Sequence, residues 1–186
     1  MANLGSEVTV STHQAYRGKI VNVRVDSVRL PTGAIATREI VEHGNSVCIV
    51  PLDEANNVLM VRQYRKPAEE VLLEVPAGGV EAEEVWEEAV LRELQEETGY
   101  TALKLNHLAT FWTTPGFCTE LMRAYLATEL RAGDPRHRQD EDENVQLVKV
   151  PLDRVQNMIR EGQIKDAKSI ASLLMALSAY RRQDAA

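Results

Sequence analysis

Two cysteines, Cys48 and Cys118, are the only thiols among the 186 residues. They cannot build a disulfide framework, and their spacing matches no zinc pattern. Reduced thiols in a cytoplasmic protein are the expectation. No apolar run approaches the roughly 20 residues that a bilayer crossing needs, so no membrane span is expected. Residues 1–12 show no basic start followed by an apolar stretch, and no secretory signal is expected. Positive charge is in deficit: 21 Lys and Arg face 28 Asp and Glu, a formal net charge of −7. Without a basic patch, an acidic domain is a poor tracker of a nucleic-acid backbone. It can still bind a small anion where arginines or a metal ion reverse the local field.

The remaining composition is that of a globular chain, 44% hydrophobic and 26% charged. It is long enough to bury a sizeable core. Residues 16–50 read as strands, with Ile20, Val21, Val23, Val25 and Val28 at a period near two and a turn at Pro31-Thr32-Gly33. Residues 46–52 form a short continuous apolar run, as a buried strand does, and 58–64 read as a further strand. Residues 83–98 contain neither Gly nor Pro and are dominated by Glu, Ala, Leu and Arg, which predicts a helix with Gly99 as its stop. Strands are predicted at 103–113, 120–130 and 145–150, with a polar loop over 131–144. Pro151 suits the first turn of a short helix ending near Gly162, and Ile170, Leu173, Leu174 and Leu177 recur at helical spacing. No repeat, low-complexity tract or linker interrupts the chain, which predicts one α/β domain.

Winding residues 84–98 at about 3.6 residues per turn places Trp86, Val90 and Leu94 on one side, widened by Val85 and Ala89. Glu84, Glu87, Glu88 and Gln95 point mostly the other way, as a solvated face. Glu93 and Glu97 fall near the middle of the apolar arc, with Glu96 at its edge. A charge run is usually a solvated face, but the geometry opposes that reading here. An unpartnered buried carboxylate costs several kcal/mol, on the order of 3–5, and three together repel one another. A divalent cation relieves both problems, and an all-oxygen ligand set favours Mg²⁺ or Mn²⁺. Arg92 can pair with or orient one of these glutamates.

Gly78, Glu84, Arg92, Glu93, Leu94, Glu96, Glu97, Gly99 and Tyr100 match every fixed position of the Nudix box, G-x5-E-x7-R-E-U-x-E-E-x-G-U, where U is bulky and apolar. The segment resembles that of a Nudix hydrolase, and the strand order is similar to the Nudix fold over most of the chain. The resemblance implies an α/β/α sandwich with a mixed sheet, preceded by an N-terminal antiparallel strand extension. It implies a strand extension over residues 1–45 that dimerises and a hydrolase domain over 46–186. It further implies metal ligation by Glu93, Glu96 and Glu97, with the Ala77 backbone carbonyl as an added ligand. Glu93, Glu97 and Arg92 then belong to the catalytic group. Gly78 and Gly79 permit a tight loop and a close approach to metal or phosphate.

Metal ions neutralise a diphosphate, orient its oxygens and acidify a bound water, and a general base must then take the water's proton. The acidic stretch 140–143, on the predicted loop, is the candidate source, with a solvated acidic loop as the alternative. By resemblance Glu141 is the base and Glu143 an auxiliary metal ligand, and the two roles are exchangeable. Pro115, fifteen residues after Tyr100, within Thr114-Pro115-Gly116-Phe117, resembles the ADP-ribose pyrophosphatase branch. Phe117 either stacks on a base or packs in a core. Arg65, in Arg62-Gln63-Tyr64-Arg65 before Pro67, resembles the branch's contact to phosphate or terminal ribose, and Arg62 reads as a surface charge. Arg38 resembles another substrate arginine, one that can serve a partner's site, and Glu74 resembles a site-lining glutamate. Each arginine also reads as a solvated strand residue, yet guanidinium groups suit a bidentate grip on phosphate.

The implied reaction is ADP-ribose plus water giving AMP and ribose 5-phosphate, in a homodimer. The alternatives are a Nudix pyrophosphatase for another nucleotide sugar, a dinucleotide polyphosphate or an oxidised nucleoside triphosphate, and a non-catalytic nucleotide sensor. Trp86 and Trp112 read as packing residues, and the four histidines show no ligand spacing.

Overall fold

The computed structural model describes residues 5–134 and 145–183. They fall into two compact units, residues 1–45 with 112–121, and residues 46–111 with 122–186.

In the first unit, β1 (Val8–Arg17), β2 (Asn22–Arg29) and β3 (Ile35–Glu42) form an antiparallel sheet in that order. The turn predicted at Pro31-Thr32-Gly33 joins β2 to β3: Gly33 has φ 85°, and its N–H donates to the Leu30 carbonyl at 2.8 Å. β1 begins earlier than the sequence predicts. Nearly all of it is exposed, so no burial pattern marks it, and its strand form rests on the ladder with β2. Segment 112–121 joins this unit through two backbone bonds: Val41 N–H to Phe117 O at 2.7 Å and Thr119 N–H to Val41 O at 3.0 Å.

The second unit holds β4 (Ser46–Pro51), β5 (Asn57–Arg65), β6 (Glu70–Glu74), β7 (Ala77–Gly79), α1 (Trp86–Thr98), β8 (Tyr100–Trp112), β9 (Leu121–Ala132), β10 (Gln146–Pro151), α2 (Leu152–Arg160) and α3 (Ala167–Gln183). Strands β7-β4-β9-β8 make a four-stranded sheet, and β10-β5-β6 a three-stranded one. β4 pairs parallel with β9 and antiparallel with β7, so the larger sheet is mixed.

Every residue of β4 is buried, and the period-two alternation of a strand divides it between two cores. Val47 and Ile49 join Ala89, Val90 and Leu94 of α1. Cys48 and Val50 join Val155 of α2 and Leu173, Ala176 and Leu177 of α3. One strand thus carries helices on both faces, the α/β/α sandwich that was expected. Leu94 and Leu173 are fully buried, and cutting either to Ala costs about 2–5 kcal/mol.

Several boundaries differ from the predicted ones. α1 starts at Trp86, because residues 81–84 close a turn, with Glu84 N–H to Glu81 O at 3.2 Å. Glu83 has φ 66°, which helix cannot accommodate. Val85, assigned to the apolar arc, is exposed and only caps the helix. Gly99 ends α1 at φ 76°, its N–H donating to Gln95 O, the left-handed stop that glycine permits. Pro151 sits just before α2 rather than in its first turn. β6 lies where the sequence suggests no element, and β7 replaces the tight loop expected at Gly78 and Gly79. Among the described residues no helix is long and apolar enough to cross a membrane.

Candidate active site

The loop before α1 and the helix itself are joined by one guanidinium. Arg92 Nε and Nη2 donate to the two oxygens of Glu84 at 2.9 and 3.0 Å. Its Nη1 donates to Glu93 at 2.7 Å and to Glu96 at 3.1 Å. Nη2 also reaches the Gly79 carbonyl at 2.8 Å. The Glu84 hydrogen bond above all, against the opposing effect of burial, raises the Arg92 pKa beyond its ordinary value. The same bond lowers that of Glu84, again against burial. Glu84 therefore does not belong to the solvated face: its side chain is only 13% exposed. Glu84 lies before α1, so the loop and not the helical winding sets its direction.

Glu97 is buried, and its Oε2 accepts the Ala77 N–H at 3.2 Å. Glu93 lies directly against Gly78, where an added Cβ would come within 2.0 Å of its carboxyl group. Gly78 thus leaves room for the Glu93 carboxylate, and its dihedral angle is not what calls for glycine. Among the described residues no group of three His, Cys, Asp or Glu stands ready-made around a metal position; Arg92 holds Glu93 and Glu96 here. The donor set still fits a hard divalent cation. It is made of carboxylates, it lies on one helix face against a backbone turn, and one member is buried.

A second cluster joins β5 to β6. Arg65 Nε and Nη2 donate to Glu74 Oε1 and Oε2 at 2.8 and 3.0 Å, the bidentate geometry that suits guanidinium and carboxylate. Glu74 is buried. Burial works to raise its pKa, but the hydrogen bond from Arg65 and the charge and hydrogen bond of Lys168 outweigh it and lower the pKa. The Arg65 pKa is raised, chiefly by the bond to Glu74, and Glu97 adds to it through its charge. Arg65 therefore feels the Glu97 carboxylate of α1.

The first unit contributes a separate cavity of about 420 Å³, lined by Arg24, Arg38, Trp112, Pro115, Phe117 and neighbours. Arg38 is paired with both oxygens of Glu7. Arg24 is paired with Glu42 and Asp26, whose Oδ1 is buried without a hydrogen-bond partner. Trp112 and Phe117 are 53% and 55% exposed. Reading Trp112 as a packing residue was wrong; it presents an aromatic surface to a cavity that also holds two cations.

Residues 42–173 match the family model described as NUDIX domain. The chain belongs to the Nudix hydrolases. Residues 7–41 match a second model, nucleoside diphosphate sugar hydrolase N-terminal domain. This Nudix hydrolase is 39% identical over 163 residues to the ADP-ribose pyrophosphatase of Bacillus subtilis (strain 168), covering 88% of each chain. It is 39% identical over 173 residues to the methanol dehydrogenase activator of Bacillus methanolicus, covering 93% of this chain and 94% of the relative. Among solved structures, an ADP compounds hydrolase superposes with TM-score 0.88 at 21% identity over 98% of both chains, which establishes the shared fold. Nudix hydrolases generally need divalent metal ions.

Of the residues singled out in the sequence, Ala77, Gly78, Arg92, Glu93, Glu96 and Glu97 come together around α1. Arg65 and Glu74 bind each other on β5 and β6. Arg38, Pro115 and Phe117 share the cavity of the first unit. Glu141 and Glu143 lie outside the described residues. Sequence reasoning missed Lys168 of α3, which pairs with Glu74, Asp166 just before α3, which pairs with Lys168, and Glu7 and Arg24 in the cavity. The one local signal was the Asp166-x-x-Ser169 pattern of a helix N-terminus. It predicts the cap but not the distant carboxylate.

Proposed function

We propose that this Nudix hydrolase cleaves the diphosphate linkage of ADP-ribose, or of a related nucleoside diphosphate sugar, using Mg²⁺ or Mn²⁺. The observation that carries the reading is the set of carboxylates on α1: Glu97 buried on the Ala77 N–H, Glu93 against Gly78, and Glu96 joined to Glu93 through Arg92. Those glutamates, with the Ala77 carbonyl and Glu143, would hold the cation. A bound divalent cation would neutralise the diphosphate and acidify a coordinated water.

The chain's own groups do the rest. Arg65, fixed by Glu74, grips phosphate oxygens. Glu141 takes a proton from the attacking water. The water oxygen bonds to one phosphorus as the bridging P–O bond breaks, giving AMP and ribose 5-phosphate from ADP-ribose. Within the cavity of the first unit, Trp112 and Phe117 offer aromatic surfaces that suit a base, beside Pro115 and Arg38. Segment 1–45 acts as a dimerising extension, and Arg38 serves the site of a second copy. Similarity to an ADP-ribose pyrophosphatase over 88% of each chain supports the substrate class.

Product identification tests it. Incubation with ADP-ribose and Mg²⁺ or Mn²⁺ should yield AMP and ribose 5-phosphate, and Glu97→Gln should lower turnover by about a hundredfold or more with the fold intact. A large preference in kcat/KM for a nucleoside triphosphate, or unchanged turnover in Glu97→Gln, overturns the reading.

A further inference from the structure

The start of α3 is fastened to the strand that carries Glu74. Asp166 Oδ2 accepts the Ser169 N–H at 2.9 Å and its hydroxyl at 2.6 Å, and Ser169 Oγ accepts the Val75 N–H at 2.9 Å. This anchoring brings Lys168 against Glu74. Its Nζ donates to Glu74 Oε2 and lies 3.0 Å from Asp166 Oδ2. The Lys168 side chain is 13% exposed and that of Glu74 2%.

Glu74 Oε2 therefore receives two cations, Lys168 and Arg65. Arg65, Lys168, Glu74 and Asp166 together are electrically neutral. A buried ion pair of this kind is often replaceable by apolar packing without loss of stability, so stability alone does not account for a second cation on Glu74. Arg65 is the more exposed member, at 39%, and its Nη1 bonds no acceptor among the described residues. A guanidinium gripped along one edge by both carboxylate oxygens can turn only if that carboxylate turns with it. Lys168 holds the carboxylate.

We infer that Lys168 is a positioning residue: by sharing Glu74 it locks the plane of the Arg65 guanidinium, so that the remaining edge meets the diphosphate of the substrate preorganised. The inference rests on the proposed hydrolysis of a nucleoside diphosphate sugar. Preorganised donors spend less ordering entropy on binding, so loss of the lock weakens substrate binding more than it slows the bond-breaking step.

The test combines kinetics with a readout that needs neither metal nor substrate. In ¹⁵N-labelled protein the Arg65 Nε–Hε resonance, assigned by its loss in Arg65→Lys, should be sharp in the wild type and broadened or lost in Lys168→Met. With ADP-ribose, Lys168→Met should raise KM about tenfold while kcat changes by less than about threefold. Lys168→Arg should restore both. In an Arg65→Lys background, Lys168→Met should add nothing further to KM. An unchanged resonance together with unchanged KM overturns the inference, as does a KM effect that adds in full to that of Arg65→Lys. If Lys168→Met does not fold, Lys168→Gln carries the same readouts. If the wild type does not hydrolyse ADP-ribose, the functional reading fails, and the resonance alone decides the positioning role.

Discussion

At Glu74, burial and charge pairing pull in opposite directions, and pairing with Arg65 and Lys168 wins, lowering the pKa from the usual 4.5. A folded-state pKa below the unfolded one stabilises the protein at pH values above the unfolded one. That contribution is lost as pH falls through the folded value. The gap in Tm between wild type and Glu74→Gln should therefore be full near neutrality and close as the pH drops below 4.5, as thermal melts across that range would read. A gap that widens on acidification refutes the pairing. Residues such as Glu93 and Glu97 were legible because helical winding alone turns them toward the apolar side. Glu84 was not, since its partner Arg92 stands eight positions away across a turn. Lys168 was still less so: 94 positions separate it from Glu74, and nothing local to either residue names the other.

Among elements, α1 and the loop before it were the most legible, because residue identity at fixed spacing and helical periodicity agree there. The edges were not. β1 is nearly all exposed, β6 has its first two residues exposed, and β7 is three residues long. A strand held mainly by its ladder, rather than by a buried face, writes little into the sequence. β7 nevertheless positions Gly78 against Glu93. Gly78→Ala places a methyl group where the carboxylate lies, so Glu93 must move. We expect turnover to fall by about a hundredfold, in line with the cost of an ångström of misplacement at a reacting centre. The Tm should change far less than for a core truncation. Near-normal kcat in Gly78→Ala would show that the close approach has no bearing on turnover.

At the scale of the molecule, the sequence conveyed an α/β chain with an N-terminal strand segment, but not that residues 112–121 belong with that segment. Two backbone hydrogen bonds tie Val41 to residues 117 and 119, and the Thr119 hydroxyl bonds the His43 backbone across 76 positions, a distance that no local pattern spans. The same unit exposes Val8, Val10, Tyr16 and Ile35. Apolar surface gathered on one small sheet favours a second copy of the chain as its cover. Light scattering should give twice the chain mass, and Val10→Lys should shift it toward the monomer; a monomeric wild type at micromolar concentration refutes the dimer. Arg92, finally, answers Glu84, Glu93 and Glu96 at once, so part of the repulsion among these carboxylates is relieved by a protein group that no loss of cation removes. Scarcity of divalent cation would then idle the enzyme without loosening it, and proteases would find an inactive molecule no easier to digest than a working one.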